Sequence, residues 1–327
     1  MTPLSEALSE ALSEPLSDPS TESPALLVVG EALIDAVERG DDPPELHVGG
    51  SPANVAFGLG ALDHDVSLAT WFGRDDWGRR IADRCAEKGA KVVAGSDGAA
   101  RTSVARAVLD ADGAATYDFD ITWQVPAIAD LPHYGHVHTG SIAAVLEPGG
   151  SQTLVTVQQA RATATISYDP NARPSLMGSP DEVRPRMEAL IALADVVKAS
   201  DEDLAWLYPD RFIPDVLRHW GALGASLTVV TRGGEGALYA LHQVGSVATC
   251  EARSVGLVDT VWAGDSFMAG LLSGLLDAEL LGSVVARERL ATAALDDVRP
   301  AIERAIATGG ITVSKAGAYS PSRAELG

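Results

Sequence analysis

The feature that most constrains this 327-residue chain is a series of short apolar runs without polar alternation. Ala25-Leu26-Leu27-Val28-Val29 ends at Gly30, and Leu227-Thr228-Val229-Val230-Thr231 ends at Arg232-Gly233-Gly234-Glu235-Gly236. A strand with one face in water alternates apolar and polar residues, so unbroken runs call for cover on both faces. From 151 onward such runs alternate with helical stretches: a helix over 151–161, a strand over 164–168, a helix over 181–194, then Val196-Val197-Lys198. That alternation predicts a mostly parallel central sheet between helical layers, an α/β fold of three-layer α/β/α type. Ligands in such sheets gather outside the carboxyl ends of the strands.

With 46% apolar residues the chain can bury one large core, and a small appendage accounts for the rest. Runs at 101–109 and 114–119, joined by Asp110-Ala111-Asp112-Gly113, read as a hairpin. Segments near 33–48 are expected to extend it into a small β-sheet lid, spanning 33–48 and 101–120, which would keep water from the ligand site. An exposed sheet of this kind can also pair two subunits, which points to a homodimer through the lid. Residues 1–24 stand apart. Ser5-Glu6-Ala7-Leu8 recurs at Ser9-Glu10-Ala11-Leu12, and Pro, Ser and acids then dominate. This reads as a disordered acidic tail ahead of one domain over 25–327.

The net charge of −21 argues against nucleic acid or an anionic membrane surface as partner. No apolar run approaches the ~18–20 residues of a membrane helix, and the start lacks a secretory pattern. Two cysteines, Cys85 and Cys250, supply no disulfide framework and suit a reducing, cytoplasmic setting. Cys85 falls with Ile81 on the inward face of a helix over 75–89, as a core residue. His133, His136 and His138 lack the acid or cysteine partners of a zinc site. One of them, near Gly140-Ser141, could line a pocket.

Chemistry concentrates in two motifs. Asp259-Thr260-Val261-Trp262-Ala263-Gly264-Asp265 precedes an apolar run from 266 to 276. A turn of small residues opening into a helix leaves backbone N–H groups unpaired and pointing at one spot, where the helix dipole favours negative charge. Asp265 at that mouth can take a proton while the amides hold an anion, which suits phosphoryl transfer. The second motif is Gly49-Gly50-Ser51-Pro52-Ala53-Asn54. Ser51 reads as an N-cap with Pro52 in the first helical position. The glycines let backbone approach a ligand, and Asn54 offers a donor and an acceptor. Asp35, five residues beyond Gly30, is either an exposed loop acid or a ligand contact. The chain contains no Gly-Lys-Ser/Thr phosphate loop and no Gly-x-Gly-x-x-Gly after its first strand.

The two motifs, in this order, resemble the PfkB (ribokinase-like) family of ATP-dependent carbohydrate kinases, and their wording is most similar to its fructokinase branch. The similarity runs from about Leu26 to Glu325. It implies a phosphotransferase that moves the γ-phosphoryl of ATP, with Mg2+, to a primary hydroxyl of a sugar, fructose first. Ribose, a nucleoside and 2-keto-3-deoxygluconate remain alternatives. The resemblance assigns sugar contacts to Asp35, Gly49, Gly50 and Asn54, the general base to Asp265, and the anion hole to Ala263 and Gly264. It assigns the nucleotide phosphates to Thr231, Gly233 and Gly236, although Gly236 also reads as the turn of a plain hairpin. Where the family often has Asn and Glu three apart, this chain has Ser200 and Asp203, so Asp203 is expected to organise Mg2+ through water. Asp259 matches the family residue beside a monovalent cation such as K+. Arg173 reads equally as a phosphate contact or a structural salt bridge. The closing stretch, 301–315, flanks adenine in the family, and Gly309-Gly310 is expected to interrupt its helix.

One departure bears on all of this: the family pattern has Gly where this chain has Trp262. If that position needs φ > 0, a bulky residue costs ~1–2 kcal/mol, and the indole could occupy the phosphate path. A competent kinase, a slow kinase and a sugar- or nucleotide-binding protein without turnover are the three outcomes.

Overall fold

The computed structural model describes residues 23–39, 43–109, 115–253 and 255–326. The acidic tail, apart from its last residues, and the 110–113 turn lie outside the described residues. In chain order the strands are β1 (Leu26–Val29), β2 (Leu33–Arg39), β3 (Glu45–Gly49), β4 (Val66–Ala69), β5 (Ala90–Val92), β6 (Val104–Leu109) and β7 (Ala115–Asp120). They continue as β8 (His136–Gly140), β9 (Thr165–Asp169), β10 (Val196–Ser200), β11 (Leu227–Thr231), β12 (Ala237–Leu241) and β13 (Val247–Cys250).

Nine of these form one sheet in the order β13-β12-β11-β10-β9-β8-β1-β4-β5. The pairs from β11 to β5 are parallel, and β12 and β13 add antiparallel at one end. Residues of β1 show why its run is unbroken. Leu26 and Val28 enter the core on one face, Leu27 and Val29 the core on the other, and all four are buried. The first core is closed by helices α1 (Ser51–Ala61), α2 (Asp76–Glu87), α8 (Ala263–Asp277) and α10 (Leu295–Val313). The second is closed by α3 (Gly149–Ala160), α5 (Pro180–Ile191) and α7 (Ile213–Leu223). Short helices α4 (Pro174–Met177) and α6 (Asp201–Leu207) follow β9 and β10, and α9 (Val284–Thr292) precedes α10. At ~1.5–3 kcal/mol for each fully buried large apolar side chain, these two cores dominate the stability of the sandwich. The fold is the three-layer α/β/α arrangement that the alternating runs predict.

Helices α1, α8 and α10 pack with unusually close backbones. A Cβ at Gly58 would lie 2.5 Å from Ala269 Cβ, at Gly270 2.2 Å from Thr308 Oγ1, and at Gly274 2.5 Å from Ala301 Cα. The expected break at Gly309-Gly310 does not occur: α10 continues to Val313. Each helical glycine costs ~1 kcal/mol against alanine, but α10 is tied to α8 on both sides of the pair. Thr308 Oγ1 donates to Ser266 O at 2.9 Å and Thr312 Oγ1 to Ser266 Oγ at 2.7 Å.

The second sheet has the order β3-β2-β6-β7, antiparallel except for the β2–β6 pair. It stands over the carboxyl ends of the large sheet. No helix among the described residues is long and apolar enough to cross a membrane.

Candidate active site

A cleft of about 1180 Å3 opens between the small sheet and the carboxyl ends of the parallel strands, and Asp35, His47, Asn54, Asn171, Lys198 and Asp265 all line it. Asp265 sits in the first turn of α8, only 7% exposed. Its carboxylate accepts Ser51 Oγ at 2.7 Å, Asn54 Nδ2 at 2.8 Å and, more weakly, Asn171 Nδ2 at 3.4 Å. Motifs more than two hundred residues apart are therefore joined by direct hydrogen bonds.

Ser51 is not the N-cap. Gly50 holds that place with φ 102, and Ser51 is the first residue of α1, its hydroxyl committed to Asp265. Gly50 is required by backbone on both counts of φ and space, whereas a side chain at Gly49 would displace the Asp35 carboxyl. A Cβ at Gly50 would lie 2.4 Å from Glu31 O, and one at Gly49 would lie 2.0 Å from Asp35 Oδ2. Asp35 itself lies opposite His47 in the β2–β3 ladder. Burial pushes its carboxyl up to about 6; His47 and Arg173 oppose that, and the charge of Asp265 adds to it.

The turn before α8 closes in left-handed backbone at Trp262, φ 68 and ψ 2. Closure uses the Ala263 amide, which donates to Thr260 O at 3.3 Å. The Gly264 and Asp265 amides have no protein acceptor among the described residues, so the unpaired amides fall one residue along from the expected Ala263–Gly264 pair. Ala263 and Gly264 both line the cleft.

A model of the pfkB family carbohydrate kinases matches residues 24–325. The chain belongs to the PfkB family of carbohydrate kinases. It is 34% identical over 257 residues to a fructokinase of Klebsiella pneumoniae, covering 76% of this chain and 83% of that protein. It is 31% identical to a fructokinase of Rhizobium leguminosarum bv. trifolii, covering 78% and 81%. Among solved structures, fructokinase from Vibrio cholerae O395 in its fructose-, ADP- and calcium-bound form superposes with a TM-score of 0.75 at 26% identity, covering 93% of this chain and 98% of that one. The ATP-bound fructokinase of Xylella fastidiosa superposes at 0.80 with 23% identity, covering 93% and 97%.

Within this PfkB chain, Trp262 takes left-handed backbone, φ 68, lines the cleft and packs its ring against the core at the same time. The indole is half-buried against the α1–α8 core, 6.4 Å from Phe57 at an interplanar angle of 40°. Thr231 ends β11, and Gly233, φ 50, begins the next turn with open space around it; both line the cleft. Gly236 is not part of the cleft wall. Its φ of 85 and a virtual Cβ 2.1 Å from Cys250 O show a glycine required by the β11–β12 turn against β13.

Asp203 is already engaged: Oδ1 accepts Ala172 N at 2.7 Å and Oδ2 accepts Ser200 N at 2.8 Å, completing a capping box with Ser200. Asp259 accepts Val261 N at 2.9 Å and Gly317 N at 3.1 Å, fastening the turn to the segment after α10. Among the described residues no group of three or more His, Cys, Asp or Glu side chains could hold a metal. Arg173 forms no ion pair among the described residues; it donates to Asn171 O, Asn171 Oδ1 and Ala172 O while lining the cleft. His136 and His138 are buried in β8 on Thr165 and Ser167, pushed down to about 3 by burial, and away from the cleft wall. The histidine that does line it is His47. Cys85 is a core residue, its thiol pushed up to about 12 by burial.

Four contributors escape sequence reasoning: Ser51, Asn171, Lys198 and Glu31. Glu31 follows Gly30 at the end of β1, is 5% exposed, and accepts Ala143 N at 3.1 Å. Burial pushes its carboxyl up to about 7, against hydrogen bonds from its own backbone and Ser141. An acid directly after a fully buried strand was the readable signal.

Proposed function

We propose that the chain transfers the γ-phosphoryl of ATP to a primary hydroxyl of fructose, with Asp265 as general base. The observation that carries this reading is the 2.8 Å contact between Asn54, on the sugar motif, and Asp265, at a helix mouth with two unpaired amides. The fructokinase relatives, and the fructose bound in the Vibrio cholerae protein, support fructose as the acceptor.

Asp35, Asn54 and the backbone of Gly50 hold the sugar so that one hydroxyl reaches Asp265, while Gly49, buried and off the cleft wall, leaves room for the Asp35 carboxyl. As that oxygen bonds to phosphorus, Asp265 takes its proton and the Gly264 and Asp265 amides meet the charge on the transferring group. Loss of one such donor elsewhere costs ~3–4 kcal/mol. Thr231 and Gly233 lie where the nucleotide phosphates pass, with Arg173 across the cleft. Mg2+ that arrives with ATP supplies charge neutralisation on the phosphates; Asp203, through water, is the residue that would orient it. Asp259, at the exposed edge of the turn, would stand beside a monovalent cation such as K+. The small sheet excludes water, and its outer strands β3 and β7 offer edges for a homodimer. A cytoplasmic setting, where ATP is supplied, completes the reading.

Coupled ADP release with fructose, ribose, adenosine and 2-keto-3-deoxygluconate tests it. Turnover highest on fructose, and a kcat lowered ~10²–10⁴-fold in Asp265→Asn with sugar affinity within threefold, are the expected results. Asp265→Asn turnover within tenfold of the wild type removes the general base.

A further inference from the structure

Lys198 stands in the middle of the apolar strand β10, with its side chain 4% exposed. Its Nζ donates to Asp169 Oδ2 at 2.8 Å, and the Asp169 side chain is fully buried. Taking both charges out of water is expensive, and apolar residues of similar volume are commonly as stable in such places. Stability alone therefore gives no reason for the pair.

Its position does. Lys198 lines the cleft together with Gly264, Asp265 and Asn171. A Cβ on Gly264 would lie 3.2 Å from Lys198 Nζ, so the ammonium abuts the turn that carries the two unpaired amides. One of its three N–H groups goes to Asp169; the other two find no acceptor among the described residues. Burial works against its charge, but Asp169, followed by Asp203 and Asp265, outweighs burial and holds the ammonium above the ordinary lysine value.

We propose that Lys198 is a catalytic residue of the phosphoryl transfer, donating to the moving phosphoryl group beside the Gly264 and Asp265 amides, with Asp169 holding it in place. The assignment rests on the kinase reading of the cleft. In the step it assists, the acceptor oxygen bonds to the γ-phosphorus and the bond to the β–γ bridging oxygen breaks. ADP leaves with that electron pair, the hydroxyl proton passes to Asp265, and Lys198 keeps its own protons.

The test compares the wild type, Lys198→Met and the double variant Lys198→Met/Asp169→Asn in steady-state kinetics and thermal melts. The single variant strands a buried carboxylate, since Asp169 Oδ1 has no partner of its own; the double variant removes that charge and keeps the fold testable. The expected result is a kcat ~10²–10³-fold below wild type in both variants, KM for fructose and for MgATP within threefold, and a Tm in the double variant close to wild type. A double variant that turns over within threefold of the wild type overturns the proposal. So does a loss confined to KM. If the wild type prefers another sugar of the panel, the substrate assignment falls while the variants are compared on that sugar. A wild type that phosphorylates none of them removes both.

Discussion

Replacing Trp262 with glycine probes the left-handed residue of the turn before α8. Left-handed backbone at 262 costs an L-residue about 1–2 kcal/mol that glycine does not incur. Against that relief stands the contact with Phe57, worth ~0.5–1.5 kcal/mol beyond area. The half-buried indole adds about 1–1.5 kcal/mol of apolar burial, and the extra freedom of an unfolded glycine another ~0.5–1 kcal/mol. The losses exceed the gain by about 1–2 kcal/mol, or a Tm lower by roughly 2–4 °C in a chain of this size. Turnover behaves differently, because the Gly264 and Asp265 amides are aimed by the turn and not by the indole. Trp262→Gly should keep kcat on fructose within threefold of wild type in a coupled ADP-release assay, while calorimetry records the lower Tm. A tenfold rise in kcat would place the indole in the phosphoryl path and refute the reasoning; a higher Tm would refute the packing side of it.

Gly49→Ala drives a Cβ to 2.0 Å from Asp35 Oδ2, so Asp35 must rotate away and KM for fructose should rise tenfold or more with KM for ATP unchanged. An unaltered fructose KM would dissociate Asp35 from the sugar. With the Asp35 carboxyl at about 6, roughly a tenth of it is ionised at pH 5. The fructose KM should therefore climb about tenfold from pH 7 to pH 5, whereas a flat profile shows that its charge is not needed. Glu31 makes a stability prediction of defined sign. Its folded value of about 7 lies above the ordinary 4.5, so its contribution is fully present below ~4.5 and lost as pH rises through about 7. The difference corresponds to roughly 3 kcal/mol. Urea denaturation at pH 5 and pH 8 should show Glu31→Gln gaining on the wild type by an amount of that order at the higher pH; a gain at the lower pH contradicts it.

The unbroken runs at Leu26–Val29 and Leu227–Thr231 revealed buried parallel strands, because cover on both faces leaves no polar alternation to write. Asp265 was readable as the acid at a helix mouth for a similarly local reason: a short turn and the helix after it are contiguous in sequence. What could not be read depends on distant partners. Ser51 looks like a cap by every local rule, yet its hydroxyl is claimed by a residue 214 positions away. Gly309-Gly310 looks like a break until the threonine bonds to α8 are seen. The need for positive φ at Trp262 could be posed as a condition; the direction of the ring could not, since it depends on Phe57. Lys198 passed as part of an apolar run, because only the sheet register brings Asp169 beside it.

The glycine contacts among α1, α8 and α10 set how the enzyme can move. Gly58 against Ala269, and Gly270 and Gly274 against α10, leave no clearance for one helix to slide or roll on another. Asp265 on α8 and the amide of Asn54 on α1 are thus bolted to a common chassis, which holds their spacing fixed. Any gape that admits a sugar has to come from the four-stranded sheet. Laboratory evolution toward bulkier acceptors would accordingly find its freedom in β2, β3, β6 and β7, and almost none along that helical trio.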